Sequence, residues 1–158
     1  MIPPTDRKMK HGDAVVLEIS PRVEGYWNQI VRVLTIGPAA QWLTDAYEVV
    51  RLARQEALKH LRPAEPMAAL STAMKTTIEA HGYTMKPPAS GTHLTGLDLT
   101  DLRITEKTTQ TFMPGMAITV HPMMNLGLGR QLFWGETYLV TATGYEPLNR
   151  CADKLTFL

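Results

Sequence analysis

Cysteine is almost absent from this chain of 158 residues: Cys151 stands alone. No internal disulfide can form, and with no Cys or His at ligand spacing around it the thiol reads as incidental rather than as a nucleophile or zinc ligand. Long apolar runs are missing too. Nothing approaches the ~20 consecutive apolar residues that span a bilayer, and Met1 to Lys10 is charged and proline-containing rather than signal-like. Nor does one sign of charge dominate. Sixteen basic residues balance fifteen acidic ones for a formal net charge of +1, which leaves no basic footprint for nucleic acid or anionic lipid. These absences predict a soluble, cytoplasmic protein with no nucleic acid and no membrane as partner. A chain of this length suits one domain around one core, burying roughly two-thirds of the surface its unfolded form exposes.

What is present reads in blocks. Ala14 to Ile19 is strand-like, with Glu18 interrupting an apolar stretch that ends at Ser20-Pro21. Glu24-Gly25 is a turn signal, and a second strand from about Tyr26 to Ile36 stops at Gly37-Pro38, so residues 12–37 are expected to form a hairpin. Trp42, Ala46, Val49, Ala53, Ala57 and Leu61 recur every three or four residues, which predicts a helix over 39–61 with those side chains inward and Pro63 beyond its end. A second helix is expected from Pro66 to His81, with Met67, Leu70, Met74 and Ile78 inward and Gly82 closing it. After Pro87-Pro88 a polar stretch runs to about Thr111 and reads as loop. Met116 to His121, Leu132 to Trp134 and Thr137 to Thr143 read as strands. The order of hairpin, two helices, long loop and sheet defines an α+β domain.

Four segments in order carry a family resemblance. They are Gly12-Asp13-Ala14-Val15-Val16-Leu17-Glu18-Ile19 with Gly25-Tyr26 and Arg32 to Gly37; His93-Leu94-Thr95-Gly96-Leu97; Pro114-Gly115-Met116-Ala117-Ile118-Thr119-Val120-His121-Pro122; and Gly135-Glu136-Thr137-Tyr138-Leu139-Val140-Thr141 with Gly144 and Glu146-Pro147-Leu148. Together they resemble the landmark segments of the pita-bread metallopeptidases, the superfamily of methionine aminopeptidase, Xaa-Pro aminopeptidase and creatinase. The resemblance implies a partial pita-bread fold with a curved antiparallel sheet, an N-terminal segment over 1–11 and one catalytic-type domain over 12–158.

In that family two aspartates, one histidine and two glutamates hold a pair of divalent metals that activate water for amide hydrolysis. Carried over, those positions fall on Glu18, Gln29, His93, His121 and Gly135, so only the histidine is kept, and Thr100 stands where the family has a substrate-facing histidine. With a single carboxylate remaining, two mutually repelling cations lack the charge that would hold them together. Glu136 reaches the last position only through a one-residue slip that turns its side chain to the other face of the strand. The resemblance therefore implies no cofactor. A single divalent metal on Glu18, His93 and His121 is the alternative, since two histidines and one carboxylate form a known ligand set.

Two classes of function remain. One is a hydrolase-like enzyme that acts on a peptide or another C–N bond without two metals, as creatinase does, for which Glu18, His93, His121 and Glu136 are the catalytic candidates. The other is a non-catalytic binding or assembly domain, with a small molecule or peptide in the cleft. Beside these readings stand structural ones. Glu18 could pair with Arg32 across the hairpin, and the two histidines could be hydrogen-bonded core groups. Met113, Met116, Met123 and Met124 could line a pocket or fill core volume, and Trp27 and Trp134 could flank a ligand or sit in the core. Asp98, Asp101 and Arg103 read as solvated loop charges.

The resemblance also implies two further helices and a hairpin ahead of Gly12, where this chain has eleven residues. The faces they would cover are then expected to be covered by a homo-oligomer or a partner chain. Light scattering or sedimentation tests this: concentration-dependent association is expected, and a monomer across a wide concentration range with no exposed apolar face would count against it.

Overall fold

The computed structural model describes residues 5–85 and 91–158. Met1 to Pro4 and the Pro87-Pro88 pair lie outside that range. Strand β1 (Ala14–Ile19) pairs antiparallel with β4 (Ile30–Thr35), running from Ala14 opposite Thr35 to Ile19 opposite Ile30. At the tip of this long hairpin sits a smaller one, β2 (Arg22–Val23) and β3 (Tyr26–Trp27). Its two-residue turn holds Glu24 at φ 50° and Gly25 at φ 91°, the left-handed geometry that tight hairpins require. The expected strand over 26–36 is therefore two strands separated at Asn28-Gln29.

Helices α1 (Gln41–Leu58) and α2 (Met67–Ala80) follow and pack on one another. The spacing places Ala46, Val49, Ala53 and Ala57 inward as expected, and Leu61 is buried just beyond α1. Trp42 is not inward: it is 48% exposed at the start of α1, with the Arg130 guanidinium 5.3 Å from its ring centroid. Leu43 takes the buried place instead. Helix α2 buries Met67, Leu70, Met74 and Ile78 completely, and Gly82 adopts φ 79° beyond it, as a helix stop requires.

Strand β5 (Thr84–Met85) follows α2, and the stretch read as loop contains two short strands, β6 (His93–Thr95) and β7 (Leu102–Arg103). Then come β8 (Ala117–Val120), β9 (Met123–Gly127), β10 (Arg130–Phe133), β11 (Gly135–Val140), β12 (Tyr145–Pro147) and β13 (Thr156–Phe157). The main sheet runs β1-β4-β11-β8-β6-β7, with β12 added to β11 and β13 lying parallel to β4. A second sheet, β10-β9-β5, and the β2-β3 ribbon complete the described strands.

Side chains alternate between the faces of a strand, and on the central strands the two faces differ in chemistry. Ile118 and Val120 of β8 and Tyr138 and Val140 of β11 join the helices in the core. Thr119 of β8 and Thr137 of β11 face the other way, where their hydroxyls meet at 3.0 Å. The sheet thus carries an apolar helix-facing side and a polar concave side. The tip hairpin closes one flank of the concavity, because the Trp27 amide donates to the Gly96 carbonyl at 2.8 Å. Edge strand β1 and the tip hairpin leave Leu17, Ile19, Val23 and Tyr26 exposed. No helix of the described residues is long and apolar enough to cross a membrane.

Candidate functional site

Glu18, Gln29, Gly91, His93, Leu99, Thr100, Arg103, His121, Met123 and Phe133 line a cleft of about 240 Å³ on the concave side of the sheet. Its floor is set by β11 and β8. The Thr137 hydroxyl donates to the Gln29 carbonyl at 2.9 Å and accepts the Gln29 amide at 3.0 Å, so a side chain supplies what the strand ladder cannot at the Asn28-Gln29 break. Asn149 Nδ2 donates to the same carbonyl at 3.3 Å. The Gln29 side chain is thereby held over the cleft, where its Nε2 donates to Glu18 Oε1 at 2.6 Å and to Ser20 Oγ at 3.3 Å. Its Oε1 faces His93 Nε2 at 3.0 Å. Glu18, Gln29 and His93 therefore form one hydrogen-bonded row.

The other ring nitrogen of His93, Nδ1, faces the Leu94 carbonyl at 3.0 Å. Only an imidazolium would donate to both oxygens. Burial, and after it the charge of Arg103, push the His93 pKa down, against the raising effects of the Leu94 carbonyl and Asp101. In the neutral ring one of the two contacts lacks its proton.

His121 continues β8 beyond Val120 and lies at the back of the cleft, only 4% exposed. Its backbone amide donates to Thr92 Oγ1 at 2.9 Å. Its ring stacks on Phe133 with centroids 5.5 Å apart and lies 6.3 Å from the His93 ring. Two glycines make room for it. A Cβ built on Gly135 would lie 2.9 Å from His121 Nε2 and from Val31 Cγ2, and one on Gly91 would lie 3.2 Å from His121 Cγ and 2.9 Å from Met123 Sδ. The imidazole thus fills the space into which any side chain at 135 would project. Burial, then the positive potential of His93 and Arg103, drives the His121 pKa down to about 3, so this ring is neutral. Its Nδ1 is buried with no hydrogen-bond partner among the described residues.

Three of the four catalytic candidates, Glu18, His93 and His121, therefore line one cleft. Glu136 does not. It is one residue past Gly135 on β11 and points to the helix side, where its carboxylate pairs with Arg32 at 2.7 Å, both side chains largely buried. The expected Glu18–Arg32 pair is likewise not formed: Glu18 lies opposite Val31, and Arg32 lies opposite Leu17 with its side chain turned to the other face. Arg32 and Arg54 both lie over the Trp134 ring, with guanidinium carbons 4.9 and 4.2 Å from its centroid, and Arg54 is bonded to Asp153. Trp134 is thus a core group packed against two cations and is not among the residues lining the cleft. Of the methionines, Met124 is core, Met123 lines the cleft and Met113 is exposed.

Arg103 is solvent-exposed, as expected, but it is not a loop charge. It belongs to β7 opposite His93 and lines the cleft. Thr100, at the place of the family's substrate-facing histidine, also lines the cleft, and Leu99 and Phe133 complete a lining that sequence alone did not single out. A two-residue strand has no periodicity to detect, and the pairing of Arg103 with His93 spans a turn stabilised by side chains, including Asp101 Oδ1 accepting the Asp98 amide at 3.1 Å.

A curved antiparallel sheet backed by two helices, with a polar cleft on its concave face, is the pita-bread architecture in part. The profile of metallopeptidase family M24 matches residues 1–142, and the chain belongs to that family. It is 23% identical over 152 residues to a Xaa-Pro dipeptidase of Pyrococcus horikoshii, covering 96% of this chain and 43% of that protein. It is 22% identical over 172 residues to a methionine aminopeptidase of Chlamydia pneumoniae, covering 95% of this chain and 59% of that one. Among solved structures, a prolidase from Thermococcus sibiricus superposes with a TM-score of 0.91 at 20% identity, covering all of this chain and 43% of its own. The chain spans roughly half the length of the curated relatives it matches.

Gly135→Ala should destabilise the protein by about 1–3 kcal/mol through overpacking against His121 and Val31. His121→Ala should relieve part of that cost, so urea denaturation of the two single variants and the double variant should show non-additivity; additive effects would remove His121 from the contact. The His121 pKa lies below its ordinary 6.5, so the unfolded chain binds a proton that the native state refuses. Its contribution to stability is therefore present above about 6.5 and is lost as the pH falls toward about 3. His121→Phe should flatten the decline of thermal midpoint across that window, and an unchanged slope would contradict the burial of a neutral ring.

Proposed function

We propose that this chain is a divergent hydrolase-family domain that does not perform two-metal amide hydrolysis, and that its cleft binds a small molecule or peptide without a metal pair. The observation that carries this reading is the packing of His121 against Gly135. Resemblance places family carboxylates at both positions, yet here an imidazole occupies the volume that a carboxylate from 135 would need. Gln29, at a third such position, is neutral and spends its amide on Glu18 and His93. Among the described residues no three His, Cys, Asp or Glu side chains converge to hold a metal. The residues present do not fit a dinuclear centre, which needs bridging carboxylates to offset the repulsion of two cations.

A second reading, metal-free acid–base catalysis, draws on the Glu18-Gln29-His93 row, which places an acid and a base on one cleft wall. The activity of the whole protein, its cytoplasmic location and a second copy or partner over Leu17, Ile19, Val23 and Tyr26 belong to the same proposal.

Metal analysis of protein purified without chelator, paired with aminopeptidase and dipeptidase assays in added manganese or cobalt, tests it. Fewer than two equivalents of metal and no metal-stimulated cleavage are expected. Two tightly bound equivalents would overturn the proposal. One equivalent, lost in both His93→Ala and His121→Ala, would instead establish the mononuclear alternative.

A further inference from the structure

A second cavity, of about 380 Å³, shares no lining residue with the cleft and lies between the open end of the β1-β4 hairpin, the first turn of α1 and the β9-β10 ribbon. Strand β10 separates the two. Phe133 lines the cleft, while its neighbour Leu132 lines the second pocket, because successive side chains of a strand take opposite faces. Val33, Leu43 and Leu132 belong to the buried core, and Val16, which lies opposite Val33, is half-buried like Leu126. The backbone around them is already satisfied: the Leu43 amide donates to the Ala40 carbonyl at 3.0 Å and the Gly12 amide to the Ile36 carbonyl at 2.8 Å. Water against such walls finds few partners, and an apolar group that displaces it gains free energy. The volume of about 380 Å³ falls within the roughly 300–1,000 Å³ of small-molecule sites.

The mouth of the pocket is polar. Asp13 accepts the Arg7 guanidinium at 2.7 Å and the Lys10 amide at 2.8 Å, so its charge is offset. Arg130 is not offset. Its guanidinium carbon lies 5.3 Å from the centroid of the half-exposed Trp42 ring, and it forms no ion pair among the described residues. Of these three charged groups, two guanidiniums against one carboxylate leave one positive charge in excess. We propose that this pocket binds a medium-chain fatty acid, with the alkyl chain against Val16, Leu126 and Leu132 and the carboxylate at Arg130. A guanidinium over an aromatic face still presents the N–H groups of its edge, which match a carboxylate through parallel hydrogen bonds. An alkyl cation would meet Arg130 as a like charge, and a polar ligand would leave its own groups unpaired on the apolar walls.

The test is calorimetric titration of the full chain with octanoate, octan-1-ol, octylammonium and butanoate at matched ionic strength. One octanoate per chain at roughly 0.1 mM is expected. Octan-1-ol should bind about 5-fold more weakly, because it lacks the charge-assisted bond, and octylammonium more weakly still. Butanoate, four methylenes shorter, should lose at least about 10-fold. Arg130→Gln should erase the preference for octanoate over octan-1-ol and leave the thermal midpoint unchanged, since Arg130 is exposed. Tryptophan emission should shift with the same midpoint as the heat, and the shift should be lost in Trp42→Phe. His93→Gln, which alters only the cleft, should bind octanoate as the parent does. No saturable binding, whether through lack of affinity or because a second copy covers the pocket, would overturn the inference. So would an octanoate preference that survives Arg130→Gln, or binding that is lost in His93→Gln, which would move the ligand to the cleft. None of these outcomes bears on whether the cleft holds a metal pair.

Discussion

Successive residues of a strand must point to opposite faces, and in β11 that constraint separates two chemistries by a single peptide bond. Gly135 and Thr137 serve the concave side, where one leaves room for His121 and the other holds Gln29 in place. Glu136 and Tyr138 serve the helix side, where a carboxylate meets Arg32 and a phenol joins the core. No rotamer of Glu136 can cross the backbone to reach the cleft, and moving it there would require a register shift that also expels Thr137 and Tyr138 from their places. The composition of the cleft is therefore fixed by which residues of β11, β8 and β6 share parity.

The helix side answers with its own polar arrangement. A buried carboxylate without a partner would cost several kcal/mol, and Arg32 meets that need for Glu136 while also donating to the Gly135 carbonyl at 3.0 Å. Arg54 approaches Trp134 from α1, and Tyr47 donates to Asp153 at 3.4 Å. Burial raises the Tyr47 hydroxyl pKa to about 12, so it stays a donor. These contacts tie α1, β4, β11 and the C-terminal segment around one indole ring, behind the sheet that forms the cleft floor.

Much of this was legible in the sequence where a pattern repeats. The helix spacing located α1 and α2 to within a few residues, and alternation located β1, β8 and β11. The four family segments brought Glu18, His93 and His121 to one cleft. Patterns too short to repeat were lost: β6 and β7 together carry five residues, and their existence is set by pairing with β8 rather than by composition. That is why Arg103 passed for a loop charge. The assignment of Glu136 to the cleft failed for a different reason, since chemical type suggested a carboxylate there and parity forbade it. Trp42 shows the limit of helical spacing near a terminus, where its neighbour Leu43 takes the buried place in the first turn of α1 and Trp42 remains half in solvent.

The seat of His121 between Gly91 and Gly135 also makes the order of sequence change matter. A substitution that adds a side chain at 135 meets the imidazole at once, whereas a smaller residue at 121 removes that contact and leaves a cavity beside Phe133. Drift away from the present arrangement must therefore begin at 121. Until it does, any side chain at position 135 must displace His121 and Val31, and the two sites behave as a ratchet that turns more easily in one direction than the other.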